Sequence, residues 1–253
     1  MAETLQPAIP AATLVIFRDA AAGPPELLMV ERAKAMAFAA GALVFPGGRI
    51  DPGDRALAGE VGGNPDDTAA RIAAIRETVE EAGLPIGLSP APSGDDLARM
   101  RASLHAGTPF AEALKDAGTA LALDALIPFA RWLPQHTNMR IFDTRFYLAR
   151  LPADAPVATV DRTENVRLLW ASAAQVLADA DAGHATIIYP TRRNLERLAQ
   201  FDDFDAAVAQ AQAIPVRTIT PYQEERDGRA HLCIPDDLGY PVTAEPLGNA
   251  MRG

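Results

Sequence analysis

Two short apolar runs stand near the start of the chain. From Ala12 to Arg18 and again from Glu26 to Arg32, runs rich in Leu, Val, Ile and Phe read as strands. The Gly-Pro-Pro between them predicts a hairpin connection. Ile72, Ile75, Val79 and Ala82 recur at helical spacing, and at about 100° per residue they share one face. Asp66, Asp67 and Thr68 mark the start of that helix, and Gly83 stands where a glycine ends one. Glu77, Glu80 and Glu81 fall on the opposite face, with Arg76 at their edge.

Beyond this helix, Leu84 to Gly94 reads as a proline-rich loop, and Gly94 to His105 as a helix. Pro109 to Ala117 reads as another helix, with Thr108 as its cap. Leu126 to Leu133 and Arg140 to Leu151 read as strands joined by a turn over Pro134 to Asn138, which holds His136 as a weak acid-base candidate. Ser172 and Thr191 are expected to cap helices ending near Ala180 and Ala199, and Asp203 to Ala213 reads as a third. Val216 to Gln223 and Arg229 to Ile234 flank Asp227-Gly228, a hairpin signal.

The acidic face raises a chemical question. At roughly 6 Å and an effective dielectric near 20, each pair of carboxylates costs about 2.8 kcal/mol. Arg76, four residues before Glu80, offsets part of this. A divalent cation such as Mg²⁺ would offset more, because it takes carboxylates, water and phosphate oxygens. Upstream, Phe45-Pro46-Gly47-Gly48-Arg49-Ile50-Asp51 supplies adjacent glycines, which let backbone approach another group closely and point a carbonyl at a metal.

Together the two segments resemble the nudix box, whose pattern runs Gly, five residues, Glu, seven residues, then Arg-Glu-aliphatic-x-Glu-Glu-x-Gly-aliphatic. Gly48 matches its glycine, and Arg76, Glu77, Glu80, Glu81, Gly83 and Leu84 match its second half. Asp54 stands in place of the first Glu and can pair with Arg76, and Thr78 replaces an aliphatic residue. An insertion of about fourteen residues, around Leu57 to Asp67, carries Gly59, Gly62, Gly63, Asn64 and Pro65 and reads as a surface loop.

The resemblance implies a hydrolase that cleaves a diphosphate linkage with Mg²⁺ or Mn²⁺. It makes the Gly48 carbonyl, Glu80 and Glu81 metal ligands, Glu77 a ligand or the base, and Arg76 part of the catalytic set. Gly47, Asp54 and Gly83 are its structural supports, and Glu164 the additional acid of a downstream loop. It also implies an α/β/α sandwich around a mixed sheet, with extra helices, as one domain over 1–253. The core would span about 11–180, with a C-terminal elaboration over about 181–245.

The flanking residues are similar to one branch, the coenzyme A and acyl-coenzyme A diphosphatases with an interrupted box. Arg32, Gly41 and Phe45 match, as do the runs Arg71 to Glu77 and Arg140 to Tyr147, whereas Ala37 stands where a second Arg is common. Coenzyme A needs cations for its 3′-phosphate, and Arg32, Lys34 and Arg140 are the candidates by position. ADP-ribose, NADH and diadenosine polyphosphates are the alternative substrates. The rival from another class is a non-catalytic nucleotide sensor, against which the retention of all three glutamates speaks.

Composition narrows the setting. With 253 residues, 49% of them hydrophobic, the chain can bury a substantial core. The net charge of −10 argues against nucleic acid as a partner. No apolar run is long enough for a membrane span, and the start lacks a secretory pattern, so a cytoplasmic setting is expected. Cys233 is the single cysteine and reads as core. Lysine is confined to Lys34 and Lys115 while Arg and Ala abound, which fits a GC-rich bacterial genome. A homodimer is carried over by analogy alone.

Overall fold

Alternation along the long strands divides the apolar residues between two cores. In strand β1 (Ile9–Arg18), Ala12, Leu14 and Ile16 face one core, and Val15 and Phe17 the other. The computed structural model describes residues 7–35, 39–134, 140–161 and 164–250. His136 and Ala37 lie outside the described residues.

β1 is followed by β2 (Glu26–Arg32), β3 (Leu43–Val44), β4 (Gly47–Arg49), and helices α1 (Pro52–Val61) and α2 (Pro65–Ala82). Next come β5 (Leu88–Ser89), α3 (Gly94–His105), α4 (Phe110–Asp116), β6 (Ala120–Leu121), β7 (Ile127–Trp132), β8 (Phe142–Arg150) and β9 (Asn165–Ser172). The remainder forms α5 (Ala173–Asp181), α6 (Tyr189–Leu198), α7 (Phe204–Ala213), β10 (Thr218–Ile219), β11 (Tyr222–Arg226), β12 (Arg229–Cys233) and β13 (Ala244–Pro246).

The main sheet is mixed. β1 runs parallel to β8 on one side. Its other side is shared, because Phe17 and Arg18 pair with β2 while Ala11, Ala12 and Thr13 pair with β4. β9 lies antiparallel against β2, β7 antiparallel against β8, and β10 parallel to β7 at one margin. The fork on β1 is what matters for the site, since it brings the Gly47-Gly48 turn under α2.

One layer over the sheet holds α2 with α1, α3 and α4. Ile72, Ile75, Val79 and Ala82 are fully buried there, as the helical period requires. The opposite core gathers Val176, Leu195, Leu198 and Ala207 from α5, α6 and α7 against Phe17, Met29 and Leu148. Ile219, Ile234, Leu238 and Tyr240 of the C-terminal region join that same core. An α/β/α sandwich with added helices results.

The insertion after Asp54 is not a surface loop. Pro52 opens α1, where its missing N–H costs nothing. The Asp54 carboxylate accepts from the Asp51 N–H at 2.9 Å, one half of a capping box. Leu57 and Ala58 are buried against α2. Only Gly62, Gly63 and Asn64 lie outside the two helices, and Asn64 caps α2 by accepting from the Asp67 N–H. Gly59 sits on the open side of α1, where a glycine weakens a helix without ending it.

Two helix starts also shift. Pro109 itself, not Thr108, is the cap of α4. α6 begins at Tyr189, so Thr191 is a buried member of its first turn and Ile188 holds the cap position. Ser172 and Asp203 cap α5 and α7 through their side chains, and Asp227-Gly228 turns the β11–β12 hairpin with positive φ at both residues.

Candidate active site

Four local devices hold the acidic face of α2. Arg76 is the first. Its Nε and Nη2 donate to the two oxygens of Asp54 at 3.0 and 2.9 Å, and Nη2 also donates to the Arg49 carbonyl at 3.0 Å. Its Nη1 reaches Glu77 Oε1 at 2.9 Å and both oxygens of Glu80 at 3.4 Å. One guanidinium therefore ties α1, β4 and two acids of α2 together, the planar fork matching carboxylate geometry. Burial opposes its charge, but Asp54, Glu77 and Glu80 more than offset that, and its pKa is raised.

The glycine turn is the second device. A Cβ on Gly48 would lie 2.3 Å from Glu77 Oε1, so the Glu77 carboxylate occupies the space a side chain would take. Gly47, at φ +154°, leaves no room either, since a Cβ there would stand 2.3 Å from the Ala12 carbonyl oxygen. Its N–H donates to Glu81 Oε2 at 2.9 Å.

Asn165 is the third. It opens β9, is almost wholly buried, and donates from Nδ2 to Glu81 Oε1 at 2.9 Å. Its own N–H and that of Glu164 donate to the Asp161 carboxylate. The fourth device is Arg101 of α3. Its Nε and Nη2 donate to the Glu80 and Glu81 carbonyls at 2.8 and 3.0 Å, and it also reaches the Thr159 carbonyl and hydroxyl. The last turn of α2 contains no basic residue of its own, so Arg101 supplies the cation its carbonyls favour. His105 Nε2 lies 3.2 Å from the Glu80 carbonyl, and Gly83 ends the helix in the left-handed conformation.

Electrostatics follow from this packing. Burial pushes the Glu77 carboxyl up to about 8, against the lowering influence of Arg76. Burial likewise lifts Glu81 to about 7, opposed by its hydrogen bonds from Asn165 and Gly47, and raises Glu80 as well. Such groups accept a proton, or a cation in its place, more readily than exposed carboxylates. Among the described residues no three acidic, histidine or cysteine side chains converge closely enough to hold a metal by themselves. The donors are nevertheless hard oxygens, of the kind that Mg²⁺ or Mn²⁺ takes alongside water and phosphate. The residues therefore fit such an ion.

The other expected residues are placed unevenly. Arg32 lies near enough to Glu81 to favour its charge, and its Nε is buried without a partner among the described residues. Glu164 is exposed, with its carboxylate 3.7 Å from Arg32, and the acid of this loop whose charge Glu81 feels is Asp161. Lys34 and Arg140 are exposed at the surface, with no ion pair to the box among the described residues. Asn165, Asp161 and Arg101 were not among the sequence candidates. Only Asn165's position just before the apolar run of β9 hinted at an inward-facing polar residue.

The chain as a whole is similar to known proteins. Residues 58–198, more than half of the chain, match the family model described as the NUDT19 Nudix domain. A "Putative nudix hydrolase 7" from Caenorhabditis elegans is 30% identical over 182 residues, covering 71% of this chain and 57% of that protein. The chain thus spans little more than half the length of that curated relative. A crystal structure titled as a NUDIX hydrolase from Alicyclobacillus acidocaldarius superposes with a TM-score of 0.69 and 29% identity, covering 81% of this chain and 97% of the other. No helix among the described residues is long and apolar enough to cross a membrane. With the box residues gathered at one place and the family model matched over more than half of the chain, this chain belongs to the nudix family.

Proposed function

We propose that this protein is a metal-dependent hydrolase of a diphosphate linkage in a nucleoside diphosphate conjugate. The observation that carries this reading is the meeting of the Gly47-Gly48 turn with Glu77 and Glu81, while Arg76 holds Asp54 and Glu80 beside them. A bound Mg²⁺ or Mn²⁺ would supply positive charge to the bridging phosphate oxygens and lower the pKa of water.

The protein's own groups take separate parts. Glu80, Glu81 and the Gly48 carbonyl would hold the ion. Glu77, whose carboxyl sits near 8, serves as a further ligand or as the base that takes a proton from the attacking water. Arg76 keeps Glu77 and Glu80 oriented and limits their mutual repulsion. Glu164 stays the outer acid of the loop after β8, paired with Arg32.

Coenzyme A or an acyl-coenzyme A is the preferred substrate, giving 3′,5′-ADP and a phosphopantetheine product. Support comes from the matching residues Arg32, Gly41 and Phe45 and from the place of Arg32, which brings a cation near Glu81. Lys34 and Arg140 are the surface cations proposed to meet the 3′-phosphate. ADP-ribose, NADH and diadenosine polyphosphates remain in the comparison set.

A panel of these four substrate types, each with Mg²⁺ and with Mn²⁺, tests the reading. Metal-dependent cleavage is expected, fastest on coenzyme A. Glu81→Gln should slow it by roughly a hundredfold or more, about 2.7 kcal/mol of transition-state stabilisation. Wild-type turnover by Glu81→Gln, or turnover indifferent to metal, contradicts it.

A further inference from the structure

Glu81 differs from its two acidic neighbours in what it touches. Glu77 and Glu80 are both bonded to the Arg76 guanidinium. Among the described residues Glu81 has no direct ion pair. Each of its oxygens instead accepts one neutral N–H, from Gly47 on Oε2 and from Asn165 Nδ2 on Oε1, both at 2.9 Å. Two neutral donors from opposite sides fix the plane of a carboxylate while leaving its full negative charge and its remaining lone pairs for another ligand.

Asn165 is held for this contact from three directions. Its backbone pairs with Arg32 across β2, just past a register shift between Glu31 and Arg32. Its N–H donates to Asp161 Oδ1 at 3.2 Å, and Asp161 Oδ2 binds the Glu164 N–H at 2.8 Å, so one carboxylate staples the turn into β9. Glu164 in turn accepts from the Ala33 N–H through its carbonyl at 2.8 Å. The Asn165 side chain makes its hydrogen bond to Glu81, while its buried Oδ1 is left without a partner among the described residues. An asparagine kept inside for ordinary packing would be expected to satisfy both ends of its amide. Turning the amide over would set oxygen against carboxylate, so the contact with Glu81 fixes its orientation.

We propose that Asn165 is a positioning residue, which orients Glu81 for a divalent cation without neutralising it. The proposal rests on the metal-dependent reading above, and it deepens that reading by adding a neutral outer partner from a strand distant in sequence. Partners of this kind commonly change metal affinity tenfold to a hundredfold when removed.

The test is Mn²⁺ affinity, read by electron paramagnetic resonance titration of the metal-free protein without substrate. Wild type is compared with Asn165→Leu, which keeps the number and branching of side-chain heavy atoms and loses the donor. Thermal unfolding confirms that each variant is folded. The expected result is binding weakened about tenfold or more. A folded Asn165→Leu that binds Mn²⁺ as wild type does overturns the inference and leaves the metal reading standing. Wild-type protein that takes up no Mn²⁺ at this site overturns both. Should Asn165→Leu fail to fold, Asn165→Asp of equal size carries the test. Its affinity is expected to fall when a carboxylate faces Glu81 in place of the donor, and an unchanged affinity in the folded variant refutes the role.

Discussion

Arg76 and Asp54, 22 positions apart, form a two-pronged ion pair that is almost fully buried, with side-chain exposures of 9% and 1%. Asp54 sits in the first turn of the inserted helix α1, which sets its carboxylate where α2 needs an acid. Removing one member of a buried pair strands the other's charge. Asp54→Ala is therefore expected to cost about 3–5 kcal/mol of stability, measured by urea denaturation. A loss below about 1 kcal/mol would show that water or another acid replaces Asp54.

Neighbouring glycines should fail in different ways. At Gly48 an added methyl meets the end of the flexible Glu77 side chain, which can swing aside. Gly48→Ala is expected to keep the fold while displacing Glu77, with thermal stability nearly unchanged and turnover lost by about a hundredfold or more. At Gly47 the methyl meets the backbone of Ala12 and Thr13, which cannot yield without parting β1 from β4. Gly47→Ala should lower stability by about 2 kcal/mol or more. Thermal melts and turnover on both variants separate the cases, and equal loss of stability would contradict the contrast.

The raised carboxyls set the sign of the pH dependence. Glu77 and Glu81 move from an ordinary 4.5 to about 8 and about 7 in the folded protein. Between those values the native state holds protons that the unfolded chain has released. Their stabilising contribution is thus complete below 4.5 and lost as pH rises through 7 to 8, at up to about 1.4 kcal/mol per pH unit per group. Metal-free protein should be less stable at pH 8.5 than at pH 5.5 as far as these groups are concerned. Mn²⁺ should reverse part of that loss, because it binds the deprotonated forms. Denaturation at both pH values, with chelator and with Mn²⁺, checks this. A Mn²⁺ benefit that shrinks as pH rises would oppose it.

Arg101 grips the end of the box helix from outside. Arg101→Met removes the donors to the Glu80 and Glu81 carbonyls and the cation at a helix C-terminus. A loss of about 2 kcal/mol is expected by urea denaturation. A change within about 0.5 kcal/mol would mean that solvent serves those carbonyls equally well.

What could be read from the chain was local. Glu26–Arg32 emerged with its observed bounds because its apolar run is closed by prolines on one side and charge on the other. Ser172, Asp203 and Asp227-Gly228 announced caps and a turn through chemistry confined to a few residues. α1 is hard to read from sequence because Gly59, Gly62 and Gly63 outweigh the helix-start signal at Asp51, Pro52 and Asp54. In the site, Gly48, Arg76, Glu77, Glu80 and Glu81 were visible as a spaced motif. Asn165 and Arg101 were not, since each acts across the fold through one or two contacts that leave no periodic mark. Asp161 belongs to no motif, and only the turn geometry directs its carboxylate to the backbone beside Glu164 and its charge toward Glu81.

The central claim is that Glu77, Glu80, Glu81 and the Gly48 carbonyl form one cation site. Crystals soaked in Mn²⁺ and measured for anomalous scattering at the manganese edge test it most directly. The account predicts a peak with oxygens of these residues at about 2.1–2.2 Å. A well-occupied soak whose anomalous map is empty there, or whose manganese sits elsewhere, contradicts it.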